Sequence, residues 1–138
     1  MAVVTTSIDS STGGVRISWV APADGSDPID RYKIELKKGD GAWLADPLGC
    51  DGSASSIVSA RSCVVPMSEL SGTSIGLAFD VLVEVRIAAG NSYGLGLASP
   101  VNTLGARVRR TPDQMTPPSL LTVTEARIEL SWAALVAP

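Results

Sequence analysis

Two cysteines, Cys50 and Cys63, and a scatter of aspartates are the residues of this 138-residue chain whose types could do chemistry. Histidine is absent, which removes the commonest general base, the Ser-His pairing and imidazole metal ligation. Paired carboxylates could still serve as acid and base. Asp24 and Asp27 share one loop, while Asp40, Asp46 and Asp51 lie scattered. Asp beside Gly and Pro is by default a turn residue, so no enzyme activity is expected, and no cofactor. Asp24, Asp27 and Asp30 could begin a calcium site, but that ion wants about six to eight oxygens and the spacing lacks an acidic closing residue. Solvated loop carboxylates are the favoured reading, and no metal site is expected. For the cysteines, zinc would need two further ligands, and a redox pair prefers Cys-x-x-Cys spacing. A structural disulfide is the simplest reading. It would close a loop for about 3 kcal/mol in the chain-entropy model and imply an oxidising compartment. The alternative is two buried thiols in a cytosolic protein.

Whatever positions these residues is built from short strands. Val15, Ile17 and Trp19 alternate with Arg16 and Ser18, the period of a strand with one buried face. Pro22, Asp24-Gly25 and Pro28 break the chain. Tyr32, Ile34 and Leu36 then alternate with Arg31, Lys33, Glu35 and Lys37, and Gly39-Asp40-Gly41 reads as a hairpin turn before a return strand at Ala42-Trp43-Leu44. Residues 49–56 read as loop, Ile57-Val58 as strand, and 63–67 as strand. The strongest pattern puts Val81, Val83, Val85, Ile87 and Ala89 on one face and Leu82, Glu84, Arg86 and Ala88 on the other, a polar face taken as solvated. Residues 101–108 supply a last strand, irregular around Gly105. The expected core is Trp19, Tyr32, Ile34, Val85 and Ile87, with Arg16, Glu84 and Arg86 facing out.

Hydrophobic residues are 45% of the chain and aromatics 4%, so the core must rest on aliphatic side chains with a few aromatic anchors. The net charge is −3, and the cluster Arg107, Arg109, Arg110 has no interleaved aromatics, so no nucleic-acid binding is expected. No apolar run reaches the roughly 18 residues of a membrane span, and no membrane insertion is expected. Met1-Ala2-Val3-Val4 lacks the basic and apolar regions of a signal peptide; secretion would need a signal lying outside this chain or already removed. Neither Asn91 nor Asn102 has Ser or Thr two positions on, so there is no N-glycosylation acceptor.

Thr111-Pro112 and Pro117-Pro118 frame a linker, after which the pattern restarts. Ile128, Leu130 and Trp132 alternate with Glu129 and Ser131 as Val15, Ile17 and Trp19 do with Arg16 and Ser18. Ser18-Trp19 recurs as Ser131-Trp132 one domain length later, the signature of similar modules in array.

The segment Val15-Arg16-Ile17-Ser18-Trp19-Val20-Ala21-Pro22 resembles the second strand of a fibronectin type III domain. Pro28-Ile29-Asp30-Arg31-Tyr32-Lys33-Ile34 resembles the next strand. Val83-x-Val85-x-Ile87-x-Ala89-x-Asn91-x-x-Gly94-x-Gly96-x-x-Ser99 resembles the family's late strand and following turn. The family usually begins that strand with Tyr, where this chain has Val83, so the corner hydrogen bond must be replaced or missing. The insertion carrying Cys50 and Cys63 is a further departure; with it the chain is similar to repeats in very large surface proteins of single-celled eukaryotes. The resemblance implies an all-β, immunoglobulin-like antiparallel sandwich over residues 1–110, a linker at 111–118, and the first strands of a second copy at 119–138.

Three classes of function remain. The first is a structural or adhesive extracellular module at the cell surface, its partners other copies of itself head-to-tail. Leu121, Val123, Ile128, Leu130 and Trp132 cannot bury their surface within two strands, so a neighbouring copy is expected to cover them and extend a filament; an ordinary tandem repeat is the alternative. The second is a carbohydrate- or receptor-binding module using loops 23–29 and 90–96, with Trp43 and Tyr93 as the aromatic candidates for a glycan. The third is an accessory domain of an enzyme.

Overall fold

The computed structural model describes residues 3–135; Met1 and Ala2, on which part of the signal-peptide reading rests, and residues 136–138 of the tail lie outside it. Strands β1 (Thr5–Ile8), β2 (Val15–Ser18) and β5 (Ser62–Val65) form one antiparallel sheet in the order β1-β2-β5. Strands β3 (Arg31–Lys37), β4 (Trp43–Ala45), β6 (Val85–Asn91) and β7 (Gly94–Leu95) form a second, in the order β4-β3-β6-β7. Two short helices, α1 (Ser55–Ala60) and α2 (Met67–Ser71), flank β5. A separate hairpin, β8 (Ser119–Thr124) with β9 (Arg127–Ser131), follows residues 109–118. The chain is thus an all-β, immunoglobulin-like sandwich, its sheets joined by chain crossovers and a shared core.

The core follows from alternation. Val15 and Ile17 on β2 and Trp19 just beyond its end are buried; on β3, Tyr32, Ile34 and Leu36; on the late strand and the residues leading into it, Val83, Val85 and Ile87. The two inner faces meet with Trp19 and Tyr32 edge to face, ring centroids 5.1 Å apart, a geometry that adds to their large buried area. Outward residues pair across the second sheet instead. Glu35 accepts from Arg86 at 2.8 Å and pairs with Lys33 at 3.0 Å, and Glu84 pairs with Lys37 at 2.9 Å. Burial would raise the Glu35 carboxyl, but Arg86 and Lys33 outweigh it and leave it below its ordinary value.

Three segments depart from the strand expectations. Ile57-Val58 lies in α1, not a strand. Adjacent residues of a strand point to opposite faces, whereas in this single helical turn both reach the core. The helix stops at Arg61, in the left-handed region with its N–H on the Ile57 carbonyl. Met67 opens α2, so β5 ends at Val65. The regular part of β6 starts only at Val85. Upstream, the chain is held by Val83 N–H on the Ala106 carbonyl (2.9 Å) and Val108 N–H on the Val81 carbonyl (3.0 Å), and Val81 is partly exposed.

The expected last strand at 101–108 is reduced to one bridge, Leu82 to Arg107, because a side chain takes the place of its backbone. Asn102, 2% exposed, accepts from Val85 N–H at 2.8 Å and donates to the Val83 and Leu104 carbonyls at 2.9 and 3.1 Å. Beside it Ala106 N–H donates to Thr6 Oγ1 at 3.0 Å. A Cβ on Gly105 would lie 2.1 Å from that oxygen, so only glycine lets the late segment close against β1. At the corner where the family's Tyr would sit, Val83 is fully buried. The preceding turn is fixed through its backbone, Leu77 N–H on Leu70 and Gly39 N–H on Ile75 (2.9 and 2.8 Å).

Cys50 and Cys63 are bonded to each other, with their Cα atoms 5.2 Å apart. The bond ties the start of the α1 insertion to β5, and both residues join the core. Asp9, in the β1–β2 turn, is 6% exposed. One of its oxygens accepts from the Thr12 and Ser11 hydroxyls at 2.6 and 2.7 Å, and the other from Arg16 Nε at 3.1 Å. Those hydroxyls, then Arg16, hold its carboxyl far below the ordinary carboxylate range.

Two outcomes follow. Trp19→Ala costs about 3–5 kcal/mol, read as a lowered urea midpoint; an unchanged midpoint would remove Trp19 from the core. Asp9 has a depressed folded-state pKa, so its stabilisation is complete above the ordinary carboxylate range and disappears as pH falls through the depressed value. Asp9→Asn therefore lowers the midpoint at neutral pH, and its gap from the wild type narrows on acidification. A gap independent of pH would contradict the ionised role.

Candidate functional site

The acidic side chains do not converge. Asp24 Oδ1 accepts from Ser26 N–H and Asp27 Oδ2 from Ser92 N–H, both at 2.9 Å, while Asp30 pairs with Arg31 at 2.7 Å. Asp40 accepts from Ala42 N–H at 2.9 Å and pairs with Lys38 at 3.1 Å; these lower its pKa, the amide most. Asp51 accepts from the Ser53 hydroxyl and amide at 2.6 and 2.9 Å, again lowering its pKa. Asp46 Oδ1 lies 3.4 Å from the Ile34 and Gly52 amides. Each carboxylate caps a turn, pairs locally or, as Asp27 does, ties one loop to another, and among the described residues no three His, Cys, Asp or Glu side chains are grouped to hold a metal. The arginine cluster also divides. Arg107 donates to the Asp80 carbonyl at 2.6 Å, Arg109 N–H to Met67 Sδ at 3.3 Å, and Arg110 lies 5.0 Å over Phe79 and 3.2 Å from Asp113.

Loops 23–29 and 90–96 come together at one end of the sandwich. Asn91 Nδ2 donates to the Asp24 and Asp27 carbonyls at 3.0 and 3.3 Å, and Asp30 N–H to the Gly90 carbonyl at 3.0 Å. The cleft beside them is about 460 Å³, lined by Pro22, Ile29, Asn91, Tyr93, Leu95 and Leu97 among others. Tyr93 and Leu97 are 89% and 93% exposed there. Trp43 is elsewhere. It is half-buried on β4, and the Arg86 guanidinium covers its ring at 4.2 Å, a cation–π contact that occupies the face a sugar would need.

The tail hairpin resembles the first in its strand pairing, apart from one bulge and a shorter turn. In the sandwich, Thr5 pairs with Ser18, Thr6 with Ile17, Ser7 with Arg16 and Ile8 with Val15. In the tail, Ser119 pairs with Ser131, Leu120 with Leu130, Thr122 with Glu129 and Val123 with Ile128, and Leu121 is the extra residue of a bulge. The apolar side chains at matching positions differ sharply in what covers them. Val15, Ile17 and Trp19 are at most 6% exposed; Ile128, Leu130 and Trp132 are 68%, 51% and 64% exposed, and Leu121 and Val123 are 62% and 60% exposed. Sequence reasoning singled out these tail residues and the loops. It missed Asp9, whose signal is an Asp followed by Ser, Thr and Gly, and Asn102, a lone amide in an uncharged apolar stretch.

A single immunoglobulin-like sandwich with one internal disulfide, an open loop cleft and a bare second hairpin is the class that fold and site define. No protein-family model matches the chain. Over 36 residues, 26% of its length, the chain is 44% identical to the Cell adhesion molecule Dscam1 of Drosophila melanogaster. The chain spans 2% of that protein's length.

Because each loop carboxylate is already engaged, calcium or a chelator leaves the melting temperature unchanged. A melting temperature that climbs with calcium concentration, as ligand linkage requires, would reveal a site these carboxylates do build.

Proposed function

We propose that this chain is a non-enzymatic, structural or adhesive extracellular module of the fibronectin type III kind, assembling head-to-tail into filaments through residues 119–138. The observation that carries the reading is the bare tail hairpin. Apart from a bulge at Leu121 it is paired as β1–β2 is, whose apolar face the rest of a sandwich buries, and nothing among the described residues buries its own. A two-stranded hairpin alone is marginal in water, and open strand edges accept strands from neighbours. A contact between one copy's tail and a different surface of the next does not close on itself, so it propagates. The disulfide fits an oxidising compartment, and the short identity with a cell adhesion molecule fits a surface role.

A second reading, ligand binding by the loop cleft, is favoured by one observation: Tyr93 stands almost fully exposed at its rim. The ligand there would be a carbohydrate or a receptor surface. Glycan-array binding lost in Tyr93→Ala would support it.

Deleting residues 118–138 tests the main proposal. Electron microscopy and sedimentation are expected to show filaments from the whole chain and monomers from the shortened one, with the sandwich still folded by circular dichroism. Filaments formed equally well without the tail would overturn it.

A further inference from the structure

A sandwich has four sheet edges, and three of these are covered or short. The edge at β1 meets residues 104–106, where Ala106 N–H bonds Thr6 Oγ1. The edge at β5 lies under the disulfide-bearing segment, so close that a Cβ on Gly49 would sit 2.3 Å from the Val64 carbonyl oxygen. At β4 the strand is three residues long, with Lys38, Asp40 and Asp46 around it, and the neighbouring β3 amide of Tyr32 is taken by the Gly52 carbonyl at 2.9 Å. Short length and flanking charge are the usual protections of an edge.

The fourth edge, at β7, is shorter still at two residues, but among the described residues neither a flanking charge nor another strand guards it. Gly96 N–H bonds inward to the Ala89 carbonyl and Ser99 N–H to the Ile87 carbonyl, both at 2.8 Å. Amides alternate along a strand, so next to the inward Gly96 the N–H of Leu95, the last residue of β7, points away from the sheet. Leu95 is 51% and Leu97 93% exposed, and no charged residue lies between Arg86 and Arg107. β7 and the segment that follows it thus form an apolar, uncharged edge with only a short regular stretch.

The tail carries its counterpart. β8 is six residues long, and no charged residue lies between Asp113 and Glu125. Because β8 and β9 form a sheet of two strands, the outer edge of β8 is open among the described residues. Pro118 precedes β8, and Pro100 ends the other edge; lacking an N–H, each proline limits the ladder. The sister strand β9 bears Arg127 and Glu129 and matches the uncharged edge less well.

We propose that residues 94–99 of one copy accept β8 of a second copy as an added antiparallel or parallel strand, laying the apolar side chains of the hairpin beside Leu95 and Leu97. This rests on the head-to-tail reading and names its acceptor surface. It also makes the rim of the loop cleft part of the self-contact.

The test uses the whole chain. Leu95→Lys/Leu97→Lys places charges on exposed positions of the edge, where the fold has no need of the leucines. Association measured by sedimentation is expected to weaken on the order of tenfold or more, with the melting temperature of the sandwich unchanged. Hydrogen exchange on the assembled wild type is expected to slow in 94–99 and in 119–124 together. If the double variant assembles as the wild type does while deletion of 118–138 abolishes assembly, the acceptor is elsewhere and the head-to-tail reading stands. If neither change affects assembly, or the wild type stays monomeric at every concentration, both fall. Protection of both segments in a monomer would mean that the tail docks on its own sandwich, which also overturns the proposal.

Discussion

The apolar face of β2 must be covered, and most of this molecule is arranged to cover it. Val15 and Ile17 lie on a strand paired on both sides, by β1 and β5, and Trp19 follows it with its N–H on the Arg61 carbonyl, so these backbone groups are met and the side chains need shelter. The second sheet supplies it, with Tyr32 against Trp19 and Ile34, Val85 and Ile87 in the core beyond. Burying one such side chain is worth about 1.5–3 kcal/mol, comparable with a sizeable share of a domain's net stability. The disulfide, the α1 insertion and the Asn102 network all act where regular pairing gives out. Each closes a place at which water would otherwise reach that face.

Buried polar groups here are spent on replacing absent strand structure. Asn102 offers a carbonyl and an amide in the positions a neighbouring strand would offer its own, and so satisfies Val85 N–H and the Val83 carbonyl together. An unmet buried amide or carbonyl costs about 1–3 kcal/mol; a single side chain that meets two of them permits the irregular run after it. The irregular run in turn puts Gly105 against Thr6 and shuts the β1 edge. Asp9 does the same for the β1–β2 turn, with hydroxyls and a guanidinium filling both carboxylate oxygens.

What could be read from the sequence was what period 2 encodes. β2, β3 and the buried half of β6 are visible in Val15-x-Ile17-x-Trp19, Tyr32-x-Ile34-x-Leu36 and Val83-x-Val85-x-Ile87, because each face is apolar or polar throughout. Ile57-Val58 was illegible for the opposite reason. Two adjacent β-branched residues fit a strand by propensity, and only the loop closed by the Cys50–Cys63 bond, part of which coils into α1, brings both against the core. Side-chain substitutes for backbone pairing leave no periodic trace at all, so Asn102 and Asp9 could not be found by pattern. The Arg86 cover on Trp43 depends on register across β3, β4 and β6, and it withdraws an aromatic that composition alone offered to a ligand.

The tail shows the same constraint from its unsatisfied side. β9 pairs with its partner strand as β2 does with β1, apart from the bulge at Leu121, but it lacks an equivalent of β5 and of the opposing sheet among the described residues. Ile128, Leu130 and Trp132 therefore stand in water with the spacing of buried residues. A pattern that serves a sandwich interior has no use on a free hairpin, where polar residues on both faces would be the stable choice. Nor does the uncharged run around Leu95 and Leu97 benefit an isolated domain, since each charge absent from an edge removes a barrier to wrong pairing. The two features make physical sense together. One is a strand pair short of neighbours, the other a sheet edge without a neighbour, and β8 and that edge are both uncharged and bounded by proline. Pairing them as proposed would satisfy backbone groups and apolar surface on both sides without rearranging the sandwich that carries them.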